Sequence, residues 1–76
     1  MSNLIAAKVL VSEEIYLSLP SRPDRVRECI NGAEQAMTET AAEAGRVISE
    51  TPRLVDQRQT GLGFVELEFH ADTVKR

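Results

Sequence analysis

The chain has 76 residues, a formal net charge of −3, one histidine, one cysteine and no tryptophan. That is one small domain spanning residues 1–76, with an expected stability that is marginal without an oligomeric partner, since a domain of this size buries only about 60% of the surface its unfolded chain exposes. A lone Cys29 excludes an internal disulfide, and the acidic balance with scattered basic residues argues against nucleic acid as a partner.

Residues 3–11 alternate as a strand, with Ile5, Ala7, Val9 and Val11 on one side. The run is too short to cross a membrane and lacks the basic flank and cleavage pattern of a signal peptide, so a cytoplasmic protein with no membrane partner is expected. After Ser12-Glu13-Glu14, residues 14–19 alternate again, with Ile15, Leu17 and Leu19 opposite Glu14, Tyr16 and Ser18. The interruption reads as a hairpin joining two strands or as a bulge in one long bent strand.

Pro20-Ser21-Arg22-Pro23-Asp24 is a helix entry. Ser21 is the expected cap, Pro23 lies in the first turn, and Asp24 completes a capping box and meets the positive end of the helix dipole. From Val26 onward Val26, Cys29, Ile30, Ala33, Ala36, Met37, Thr40, Ala41 and Ala44 share an arc of about 140° at about 100° per residue, and polar residues fill most of the rest. One helix from about residue 21 to 44 is predicted, with Gly45 as its stop.

Residues 46–59 predict an edge strand kinked at Thr51-Pro52, because Pro52 removes a ladder donor. Thr60-Gly61-Leu62-Gly63 is a turn. Residues 64–74 then alternate cleanly, with Val65, Leu67, Phe69 and Ala71 on one face and Phe64, Glu66, Glu68, His70 and Asp72 on the other. The expected fold is therefore α+β: a small antiparallel sheet of three to four strands, in ββαββ or βαββ order, with one long helix packed on one face.

The residue types able to carry chemistry do not gather in this pattern. Glu66, Glu68, His70 and Asp72 lie about 6.5–7 Å apart along one strand, whereas a tight metal site needs three or four ligands around a point; no metal ligand set and no cofactor are expected. Gly61-Leu62-Gly63 lies between two strands, unlike a phosphate loop, which leads from a strand into a helix. Arg22 and Arg25, near the helix entry, are candidates for contact with an anion or an acidic partner. On the sheet face away from the helix, Leu4, Leu10, Tyr16 and Phe64 are expected to stand together, joined by Val55, as an interface.

One helix on a small sheet resembles, in shape, the flavin-storing proteins of the dodecin type. This chain has no tryptophan to stack on an isoalloxazine ring, so the likeness implies no flavin site here. The expected function is a non-enzymatic protein-binding module, with another protein or itself, as a homodimer, for a partner. The alternatives are an oligomeric small-ligand binder with its pocket between subunits and, least favoured, a nucleic-acid-binding module.

Overall fold

The computed structural model describes residues 3–76. Strand β1 (Leu4–Ser12) is followed by a short helix α1 (Glu13–Ser18), a single 3₁₀ turn (Leu19–Ser21), the long helix α2 (Pro23–Glu43), and strands β2 (Arg46–Ile48), β3 (Arg53–Gln59) and β4 (Phe64–Lys75). The four strands form an antiparallel sheet with the twelve-residue β4 at its centre. β1 runs along one side of β4, while β2 and β3 share the other side, β2 beside the end of β4 and β3 beside its beginning. This is the small α+β fold the pattern predicts, in βαββ order with the second strand broken in two. The break covers residues 49–52, where Pro52 is buried, and the ladder slips once more between Leu54 and Asp56, leaving Val55 in a bulge.

The core lies between α2 and the sheet. Val65, Leu67, Phe69 and Ala71 of β4 are all 3% exposed or less and meet Cys29, Ala33 and Met37 of α2, with Val11 of β1 closing the side. Along α2 the buried stripe is Cys29, Ala33, Met37 and Ala41. Ile30 is half-buried, and Val26 and Ala44 at the ends of the predicted stripe remain exposed. The helix stops as expected, with Gly45 in the left-handed region at φ 72°. Helix α2 lies over β1, β2 and β4, and every residue of β3 is exposed.

Two local expectations are corrected. Residues 13–18 are helical, neither a second strand nor a bulge. Ser12 caps this helix by accepting the Ile15 N–H at 3.2 Å, and Glu13 and Glu14 complement the positive end of its dipole. Helical spacing turns Ile15, Tyr16 and Leu19 toward the core, leaving Leu17, assigned inward by the alternation, 70% exposed. Ser21 does not cap α2. The cap position is Arg22, whose side chain accepts no bond from the first-turn amides, while the Ser21 hydroxyl donates to the Ser18 carbonyl at 3.1 Å.

A buried polar residue that the pattern does not flag ties the sheet together. Thr73, 2% exposed, donates its hydroxyl to the Asn3 carbonyl at 2.8 Å and accepts from Arg46 Nε at 2.8 Å. Arg46 also donates to the Thr73 carbonyl at 3.0 Å. The start of β1, β2 and the end of β4 thus meet at one hydroxyl.

Candidate interaction surface

Cross-strand partners share a face of the sheet, so the register locates each candidate residue. Leu4 lies opposite Asp72, Leu10 opposite Glu66 and Ser12 opposite Phe64, all on the face turned away from α2. Leu4, Leu10 and Phe64 are 37%, 59% and 44% exposed. Leu10 and Phe64 are diagonal neighbours at one end of this outer face. At the other end Leu4 is diagonal to Val74, which is paired with Val47; both valines are exposed. Sequence alternation contains the signal for Val74, but Val47 required the pairing of β2.

Between the two apolar ends runs a charged belt. Lys8 lies 3.6 Å from Glu66, and His70 Nε2 lies 2.7 Å from Glu68 Oε2. Arg53, Asp56 and Arg58 of β3 stand opposite His70, Glu68 and Glu66. Exposed pairs of this kind contribute about 0.2–1 kcal/mol each; they set the pattern of charge on the face more than its stability. Among the described residues no group of three or more His, Cys, Asp or Glu converges to hold a metal ion.

Tyr16 does not belong to this face. It sits on α1, packs against the core, and its hydroxyl donates to Gln57 Oε1. Gln57 pairs with Leu67 and so lies on the helix side. Val55 is exposed in its bulge, without a cross-strand partner. The five candidate interface residues therefore divide: three on the outer face, one on the helix side and one at the edge. Tyr16, Leu17, Leu19, Pro20, Val26 and Leu54 line a mainly apolar groove of about 430 Å³ over the uncovered inner side of β3.

Arg22 and Arg25 are engaged within the chain. The Arg22 guanidinium donates to both carboxylate oxygens of Asp24, at 3.1 and 2.9 Å, and this holds the Asp24 carboxyl below its ordinary range. Arg25 donates to the Ser18 hydroxyl at 3.0 Å. Burial, with a smaller contribution from the Glu28 charge, pushes the Cys29 thiol up and away from thiolate reactivity.

The backbone of the two outer strands completes the geometry. The Thr73 N–H donates to the Asn3 carbonyl and the Glu13 N–H to the Gly63 carbonyl, which fixes the odd-numbered residues of β1 as those bonded to β4. The N–H and C=O groups of Ala6, Lys8 and Leu10 consequently point out of the sheet edge. On the opposite side the Thr60 N–H donates to the Phe64 carbonyl, so the Gln57 amide points outward from β3. There it donates to the Asp56 carboxylate at 2.8 Å.

No protein-family model, no curated protein and no solved structure matches the chain. Among the described residues no helix is long and apolar enough to cross a membrane.

Proposed function

We propose that the protein is a non-enzymatic, cytoplasmic protein-binding module that associates with a second copy of itself through the outer face of the sheet. The observation that carries this reading is the uncovered face itself. It exposes Leu10 and Phe64 at one end and Leu4, Val47 and Val74 at the other, with a belt of both charge signs between them. In a two-fold arrangement each end of the face meets the partner's face in the same register, and Lys8, Arg53 and Arg58 have Glu66, Glu68 and Asp56 to face. A stable association of this kind covers about 1,200–2,000 Å², which supplies burial that a small core lacks. The non-catalytic reading is supported by the chemistry of the remaining groups: the single imidazole is paired with Glu68 on an open face, and the single thiol is buried.

The test is sedimentation of the native protein and of Phe64→Ser combined with Val74→Ser, at micromolar concentration. The native protein is expected to sediment as an oligomer, and the double variant to lose one association step while keeping its fold. A folded native monomer contradicts the reading.

The groove at Tyr16 and Leu54 favours a second reading, an oligomeric binder of small apolar ligands whose open side is closed by another subunit. Titration with an apolar fluorescent probe decides it: saturable binding abolished by Leu54→Asp supports the ligand binder, and unsaturable or absent binding rejects it.

A further inference from the structure

In the sequence Leu4-Ile5-Ala6-Ala7-Lys8-Val9-Leu10 the outer positions mirror one another about Ala7, Leu4 with Leu10 and Ile5 with Val9, while Ala6 mirrors Lys8. This matters because the same segment forms the long outer edge of the sheet. Among the described residues β1 is paired with β4 alone, and the N–H and C=O groups of Ala6, Lys8 and Leu10 point away from that pairing. All three residues are exposed. Strands with such an edge, straight, β-prone, without proline and nearly without charge, are templates for pairing with another chain.

We infer that β1 pairs antiparallel with β1 of a second copy, on a two-fold axis through Ala7. The inference uses a surface distinct from the outer face and shares with the preceding reading only the identity of the partner. The register follows from the residues. With Ala7 opposite its own symmetry mate, Ala6 exchanges both backbone bonds with the partner's Lys8, and Lys8 with the partner's Ala6. On the outer face the Leu4 side chain meets the partner's Leu10, and on the helix side Ile5 meets the partner's Val9. Only a small residue sits on the axis.

Shifting the axis by one residue in either direction spoils this. An axis at Lys8 sets two ammonium groups directly opposite each other, which is destabilising, and places Leu4 against Ser12. An axis at Ala6 sets Leu4 against Lys8. The axis at Ala7 is the only one of the three that sets Leu4 against an apolar side chain, the partner's Leu10, and the one mixed pair it leaves is Ala6 with the partner's Lys8. It makes one continuous eight-stranded sheet from two copies, with both long helices on the same side. The outer faces of the pair become one wider face, so edge pairing within a dimer and face packing between dimers are compatible.

The experiment is disulfide trapping in a Cys29→Ser background. Residues directly opposite in a non-hydrogen-bonded antiparallel pair lie about 4.5 Å apart at Cα, within disulfide range, and Ala7 is the residue so placed. Ala7→Cys is expected to oxidise to a covalent dimer in high yield, while Lys8→Cys, opposite the partner's Ala6, stays largely monomeric under the same conditions. As an independent measurement, Ala6→Pro removes an outward N–H without removing a bond to β4. It is expected to lower the sedimenting mass by one association step with the circular dichroism spectrum kept. Preferential trapping of Lys8→Cys overturns the inference, as does no trapping of either variant. Loss of association in the Phe64→Ser, Val74→Ser variant but not in Ala6→Pro also overturns it and leaves the outer-face reading standing. The reverse pattern leaves edge pairing standing alone.

Discussion

β1 and β3 both flank β4, yet they are protected in different ways. β1 has its inner side covered by α2, alternates regularly between half-buried and exposed residues, and carries one charge along its nine residues, Lys8. β3 lies outside the cover of α2, follows the buried Pro52, contains a bulge, and carries Arg53, Asp56 and Arg58. Its outward Gln57 amide is occupied by Asp56. Bulges, charges and a local side-chain bond are the devices by which an edge is closed to pairing. β3 has all three. The difference teaches that exposure alone does not mark an interface: the more exposed strand is the closed one, and the better covered strand turns the N–H and C=O groups of Ala6, Lys8 and Leu10 out of the sheet.

The largest expected effect separates the covered region from the uncovered one. Met37→Ala, at a site with no exposed surface over the sheet, is expected to lower unfolding free energy by about 2–5 kcal/mol. Leu54→Ala, 43% exposed on β3, is expected to cost less than about 1 kcal/mol. Urea denaturation of both variants reads the contrast, and equal costs would mean that β3 is covered in solution. Thr73→Val comes next. It removes the hydroxyl bonds to the Asn3 carbonyl and from Arg46 Nε while the backbone bonds of Thr73 to both residues remain, and should cost about 0.5–1.5 kcal/mol, measured in the same way.

The alkaline limb of stability should report the core beneath β1. A thiol whose ionisation is pushed up by folding contributes stability that is complete below its ordinary range and is lost as pH rises through the raised value. Cys29→Ala should flatten the fall in melting temperature at alkaline pH; an unchanged profile would place the thiol in solvent. The smallest effect belongs to the closed edge. Asp56→Ala should change stability by no more than about 0.5 kcal/mol while speeding hydrogen exchange at the Gln57 amide, and unchanged exchange would show that Asp56 does not hold it.

The long helix, its Gly45 stop and the alternation of β1 and β4 were legible in the residues, because each buries one face against one partner and so writes a regular period. The short helix α1 was not. Ile15, Leu17 and Leu19 alternate like a strand, and the competing signal, Ser12 followed by two acidic residues, is a helix start that also resembles an interruption between strands. That one misreading displaced Tyr16 from the candidate surface. Val47 and the outward amides of β1 were hidden for another reason: both depend on which strand lies beside which, and a period of two cannot state that.

Concentration-dependent amide hydrogen exchange of the native protein tests the contrast between the edges most directly. The account predicts slow exchange at the Ala6, Lys8 and Leu10 amides at high protein concentration, rising on dilution as copies separate. The outward Gln59 amide of β3 should exchange at one rate throughout. Fast exchange at Ala6, Lys8 and Leu10 at every concentration would contradict it, because the edge of β1 would then face water alone.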